Sequence, residues 1–295
     1  MSVQASDAPA PAVSRGAFLD GLRRLVREPL GALGLGLVVL VTLGALGADV
    51  LTDYSPIKLA VRDRFLPPSA DHLLGTDQLG RDLFTRVLHG ARIALWVALV
   101  ATGIAFIGGL VLGMIAGYGP RWLDSFLVLL FDAVRSFPTV MFALALVTLV
   151  GPSLGAVVLV VVIVSMPGYA RVVRAQTMAL KSSEFVLSTR ALGATAPRIL
   201  RVHILPNIVG PLLILASMDI PVVITIEAGM SFLGLGVRPP TPSWGSILND
   251  GFAFIRESPW PALAGGLPII IATLGFTFLG ETLRDQLDPR MRSKE

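Results

Sequence analysis

The chain has 295 residues, of which 54% are hydrophobic and 15% charged, with a net charge of +4 and no cysteine. Soluble domains carry about 25% charged residues. That shortfall, with a mean hydropathy of +0.75, excludes a soluble enzyme or a disordered chain and argues against a soluble nucleic-acid binder. The absence of cysteine removes disulfides, thiolate metal sites and cysteine nucleophiles. The composition is that of an integral membrane protein.

Residues 1–29 form a polar leader that carries Arg15, Arg23, Arg24 and Arg27 together with Asp7 and Asp20. The acids are unlike a signal-peptide n-region, so the leader is expected to be retained, with Met1–Ser14 unstructured. Crossing roughly 30 Å of hydrocarbon takes about 20 apolar residues. Leu30–Ala48, within the segment 30–50, is the first charge-free stretch of that length, and Ile93–Pro120 is the second. Between them lies a loop, 51–92, in which Asp77–Leu88 places Leu79, Leu83, Phe84, Val87 and Leu88 on one stripe. That pattern predicts an amphipathic helix at the interface, serving either a docked external protein or as a lid on the chain's own helices.

Residues 136–170 carry no charge and are too long for one span; Gly151-Pro152-Ser153 divides them. Helices are therefore expected at Leu123–Val150 and Leu154–Ala170, then at Ile208–Gly236 and Pro261–Gly280, giving an all-α polytopic protein with six transmembrane helices. Residues 93–284 make a five-helix membrane domain, and 285–295 a tail. Lys and Arg concentrate before the first span, in 171–206 and after the last span, which predicts N-in/C-in topology. The loop 51–92 runs against this rule, with six Lys or Arg residues diluted by five aspartates.

The loop 171–206 carries Arg171, Arg174, Lys181, Arg190, Arg198 and Arg201 against Glu184. Lys181–Leu192 reads as a short helix, Gly193 as its left-handed terminator, and Thr195-Ala196-Pro197 as a new start with a capping hydroxyl. The apolar residues of this elbow either enter a groove on a partner or lie on the headgroups.

Of the charges within the spans, four are singled out. Asp132 and Arg135, three apart, are placed to pair, either lining a path or as a structural or subunit contact. Asp219 and Glu227, eight apart, share a face with Ser217, Met218, Thr225 and Met230 that faces either a pore or a second subunit. Prolines 138, 167, 211, 221 and 268 fall in the spans as static kinks or hinges. His72, His89 and His203 lie far apart, so no metal, cofactor or catalytic constellation is expected. No Gly-rich phosphate loop is present, and none of the three lysines follows a glycine. An ion-driven secondary transporter using Asp132, Asp219 or Glu227 is the rival; it lacks an evident inverted repeat.

Arg190-Ala-Leu-Gly-Ala-Thr195, followed by His203-Ile204-Leu205-Pro206-Asn207, resembles the cytoplasmic "EAA" loop of ABC importer permeases, with Gly193 and Leu205-Pro206 in register. Leu187-Ser188-Thr189 stands where Glu-Ala-Ala is usual, and His203 takes the isoleucine place. His72-Leu-Leu-Gly-Thr-Asp-Gln-Leu-Gly-Arg-Asp82 and Ser231-Phe-Leu-Gly-Leu-Gly236, with Pro239–Gly245, resemble segments of dipeptide/oligopeptide permeases of the C type. The resemblance spans about residues 25–290 and implies type I importer architecture in a bacterial inner membrane. It also implies partners: a homologous second permease, two ATP-binding subunits and an external substrate-binding protein, with no nucleic acid. ATP would then be hydrolysed by separate subunits. Glu184, Phe185, Arg190, Ala191, Gly193, Ala194, Thr195, His203, Leu205 and Pro206 would form the ATPase-coupling loop, and Asp132, Arg135, Asp219 and Glu227 are the candidate translocation path. Related permeases with these motifs carry nickel, glutathione or opines as well as peptides, so cargo stays open.

Overall fold

The computed structural model describes residues 25–287. The expected unstructured leader Met1–Ser14 and most of the tail 285–295 lie outside the described residues. Among the described residues the fold is all-α, with one isolated antiparallel bridge, Thr76 to Asp82. Five helices are long and apolar enough to span a membrane, and a bent pair makes six if counted as one span.

Helix α1 (Pro29–Leu46) starts with proline in its first turn, where the missing N–H costs nothing, and ends at Gly47, whose N–H reaches Leu43 O at 2.8 Å. A short α2 (Ala48–Leu51) follows. Helix α3 (Leu83–Tyr118) has 36 residues, about 54 Å at 1.5 Å per residue. It therefore outruns the hydrocarbon and begins ten residues before the expected start at Ile93. Asp82 caps it, accepting from Thr85 N at 2.7 Å. The expected interfacial helix 77–88 is not separate: Leu83–Leu88 are the first turns of α3, and residues 77–80 form a turn.

The third span is broken. Helix α4 (Arg121–Arg135) and helix α5 (Thr139–Val150) meet at 92°. Pro138 excludes helical geometry at Phe137, and Ser136 closes α4 through its N–H and hydroxyl onto Asp132 O at 3.0 and 2.8 Å. Helix α6 (Leu154–Lys181), capped by Ser153, runs eleven residues past the expected end at Ala170. Half of its apolar window is buried, against 22% for α1, so it is the central span.

After α7 (Glu184–Ala191) come α8 (Ala196–Ile199), a wide π-turn (Leu200–Ile204) and α9 (Leu205–Phe232), which run on as one 37-residue helix. The second elbow helix thus passes through Leu205-Pro206-Asn207 into the span expected from Ile208. The wide turn directly precedes Pro206, which supplies no N–H to a regular ladder. Helices α10 (Trp244–Ala253) and α11 (Trp260–Leu287) complete the chain.

The seam between α3 and α6 is the longest in the fold. Gly109, Gly113 and Gly117 of α3 make it possible: a Cβ on Gly113 would stand 2.5 Å from Ala170 O, and one on Gly117 2.7 Å from Thr177 Cβ. Small residues four apart let backbones approach where lipid supplies no hydrophobic drive. Helix α11 packs on α1, α9 and α10. Thr282 near its end lies against Gly31 near the start of α1, so both described ends sit on one side.

Candidate functional site

The elbow 182–206 joins α6 to α9. Ser183 precedes α7 and donates its hydroxyl to Leu180 O at 2.6 Å; Glu184 opens the first turn, where the helix dipole favours an acid. Val186 is buried with Tyr169, Val173, Ile199, Ile204 and Ile208, anchoring the elbow to the ends of α6 and α9. The opposite side stays open: Phe185, Leu187 and Val202 are half exposed and Leu192 is 89% exposed. Arg190, Ala191, Thr195 and Pro206 are also exposed, while Ala194, His203 and Leu205 are partly covered. The rings of Phe185 and His203 lie 6.2 Å apart, so the two halves of the elbow touch.

Gly193 has φ +86°, as its place after a short helix requires, and its N–H bonds Arg190 O at 3.0 Å. Thr195 occupies the N-cap of α8, but its hydroxyl makes no capping bond, contrary to expectation, while Pro197 sits in the first turn as expected. Lys181 fastens the start of the elbow to the end of α3, donating to Tyr118 O at 2.8 Å with its ammonium 5.0 Å over the Tyr118 ring.

Above the elbow, α4 and α6 carry a ladder of charges. Arg174 holds Asp124 through two nitrogens, with Nη2 2.7 Å from Oδ2. Arg171 holds Asp132 one step further along. The expected pairing of Asp132 with Arg135 is therefore replaced, because α6 continues as a helix and brings Arg171 across. Arg135 instead lies beside Gly168, its Nη1 3.9 Å from the place of a Cβ there. Asp124, Arg171 and Arg174 were not singled out by the pattern. Their signal was an arginine pair spaced i, i+3 after Ala170, opposite in sign to aspartates eight apart at 124 and 132.

On α9, Asp219 and Glu227 differ in surroundings. Asp219 is half-buried and faces the Tyr169 hydroxyl. Glu227 is fully buried and accepts from Ser231 Oγ at 2.7 Å. The neighbouring hydroxyls turn back on their own helix, Ser217 to Ile214 O and Thr225 to Pro221 O. Met218 packs against Gly280 of α11, and Met230 is buried in the core.

The loop 51–92 is built on a second charged cluster. Asp77 accepts from Leu79 N, Arg81 N and Arg81 Nε at 2.8, 2.9 and 2.6 Å, with Arg86 Nε at 3.5 Å. Arg81 also reaches Asp250 of α10 at 3.4 Å, and His72 pairs with Asp82 at 2.9 Å. Arg81, Asp82 and Arg86, which lie off the apolar stripe read in the sequence, are buried. Gly75 and Gly80 take positive φ, and Gly80 lies tight against the Ala60 carbonyl. Arg92 binds Asp49 at 2.7 Å, and its guanidinium holds that carboxyl below the usual carboxylate value. Three of the six basic residues of the loop 51–92, Arg81, Arg86 and Arg92, are neutralised by acids. Two cavities lie at this end, one of about 430 Å³ beside His72 and Asp82, and an apolar one of about 860 Å³ between α1, α3, α10 and α11.

A bent apolar helix pair, a helical elbow on the side opposite the arginine-rich loop 51–92, and no strands among the described residues together make the build of a polytopic membrane protein. The chain matches the model of the binding-protein-dependent transport system inner membrane component over residues 109–293, and it belongs to that family. It is 38% identical to the dipeptide transport system permease protein DppC of Alkalihalophilus pseudofirmus over 274 residues, 93% of this chain and 90% of that one. Similar are the glutathione transport system permease protein GsiD of Pectobacterium atrosepticum, 38% over 273 residues (92% and 90%), and the oligopeptide transport system permease protein OppC of Bacillus subtilis, 34% over 275 (92% and 90%). The fold is similar to that in an inward-facing structure of the MetNI methionine ABC transporter: TM-score 0.56, 19% identity, 69% of this chain and 97% of that one. The protein is an ABC importer permease, a multi-pass membrane protein that works with other ABC subunits.

Proposed function

We propose that this permease forms half of the path by which peptides, presented by an external binding protein, cross a bacterial inner membrane, the other half coming from a homologous permease. Two ATP-binding subunits dock on the elbows of the pair, in N-in/C-in topology, and hydrolyse the ATP. The observation that carries this reading is the elbow itself: Phe185, Leu187 and Leu192 are apolar and open, while Val186 beneath them is anchored in the fold. A surface of that kind fits a groove on a partner. Coupling then runs through Glu184, Phe185, Arg190, Ala191, Gly193, Ala194, Thr195, His203, Leu205 and Pro206, and the path is lined by Asp132, Arg135 and Asp219. Glu227 is closed off inside this subunit and acts, on this reading, in holding the outer end of α9.

Gentle purification from the native membrane is expected to bring down a second permease and ATP-binding subunits, and the reconstituted complex to import peptide only with ATP and the binding protein. A chain that purifies alone, or uptake driven by a proton gradient without ATP, would contradict the proposal. Glutathione stands as a second cargo, because the glutathione permease is as similar as the dipeptide permease, at 38% identity. The same uptake assay separates the two.

A further inference from the structure

Of the four charges singled out within the spans, Glu227 is closed off against Ser231, and Arg135 and Asp219 have no partner of opposite sign among the described residues. Arg135, at the end of α4, is exposed, and its guanidinium lies beside Gly168 of α6. Asp219 of α9 is half-buried, and the group facing it is the neutral hydroxyl of Tyr169, the next residue of α6. The neighbouring charges are satisfied, Asp132 by Arg171 and Asp124 by Arg174. Arg135 and Asp219 join neither pair and do not pair with each other.

Gly168 and Tyr169 are consecutive, so the two charges flank α6 at one level, about 100° apart around its axis. A lone charge at that depth is costly and is retained where water or a ligand reaches it. Gly168 has no side chain to stand between them, and a Cβ there would meet nothing closer than Arg135 itself. Tyr169, 1% exposed and stacked edge-on to Phe106, is fixed by its packing, with its hydroxyl on the side of Asp219.

We infer that Arg135 and Asp219 form a reader of zwitterions within the path: Arg135 receives the terminal carboxylate of a passing peptide and Asp219 its terminal ammonium, with Gly168 and Tyr169 between them. This rests on the peptide-permease reading. Guanidinium and carboxylate are the donor and acceptor suited to those two ends, and each contact is a charge-assisted hydrogen bond. The consequence is that the permease, and not only the binding protein, distinguishes peptides with free ends from blocked ones.

The test uses the complete importer in proteoliposomes and one tripeptide in free, N-acetylated and C-amidated forms. Comparing each variant with wild type cancels the binding protein's own preference. Arg135→Gln is expected to lower uptake of the free and acetylated forms about tenfold while barely changing the amidated form. Asp219→Asn is expected to lower the free and amidated forms and spare the acetylated one. Where the binding protein rejects a blocked form, equilibrium binding of the three forms to the purified complex without binding protein reads the same pattern. Equal losses for all three forms would overturn the inference, showing a structural role or contact with the second permease, and would leave the importer reading standing. A wild-type complex that imports no peptide with ATP would sink both.

Discussion

Arg174 of α6 grips Asp124 of α4 with two guanidinium nitrogens, Nη2 standing 2.7 Å from Oδ2. The pair ties the first limb of the broken span to the helix that leads, seven residues later, into the elbow. Helix α6 thus joins the elbow to α4, whose far end holds Arg135. The side chains are 29% and 20% exposed, so water weakens the contact only in part.

Arg174→Gln leaves Asp124 with half its partner and should cost about 1.5–3 kcal/mol, the scale of a hydrogen bond to a charged group. The exchange D124R/R174D should recover most of it. Thermal unfolding of the purified complex checks this; an exchange no more stable than either single variant would show that the pair is incidental.

Gly193→Val places a β-branched residue at φ +86°, where strain of roughly 1–2 kcal/mol per residue is expected whatever the space around it. No atom lies within 4 Å of a Cβ there, so the effect is backbone strain and not a clash. ATP-dependent uptake should fall while the amount of protein in the membrane holds, and Gly193→Asn should retain more activity. Equal activity in the valine variant would show that the elbow tolerates another backbone path.

Arg81→Met removes the nearer cation of buried Asp77, leaving it only Arg86 Nε at 3.5 Å, and takes a partner from the partly exposed Asp250; breaking a buried pair typically costs about 3–5 kcal/mol. Residues 52–82 should become cleavable by protease added from outside. Unchanged protection would mean that the backbone bonds of the loop, such as Ala60 N to Leu79 O at 3.0 Å, suffice to hold it.

Gly113→Leu drives a side chain into Ala170 and Val173 across the α3–α6 seam. Overpacking of this kind costs about 1–3 kcal/mol or more, so yield and melting temperature should both drop. Replacement of Gly103, where a Cβ meets no neighbour, should leave both unchanged. Equal tolerance at the two sites would remove the seam from the account.

The apolar runs made the spans legible, and the glycine at 193 announced the elbow, because both signals are local. What escaped depended on partners far along the chain. Arg171 and Arg174 read as loop residues because the acids that let them continue a helix stand 39 and 50 positions away. The burial of Arg81 was not legible because Asp250, its second partner, lies 169 positions away. The broken third span was half visible: Pro138 was noted as a kink, but a 92° bend also needs Arg171 and Arg174 to hold α4 against α6. Of the candidate path residues, the pattern placed Asp219 and Glu227 together on one face, yet only packing distinguishes the half-open carboxylate from the buried one.

The most direct test of the account places one cysteine at Leu187, which is 50% exposed on the outer side of the elbow, in a chain that has no other. Site-directed cross-linking in native membranes should join it to an ATP-binding subunit, the yield should change when ATP is added, and the adduct should stop peptide uptake. A Leu187→Cys chain that cross-links to no ATP-binding protein, or an adduct that imports peptide at the wild-type rate, would contradict the claim that this elbow is where ATP drives transport.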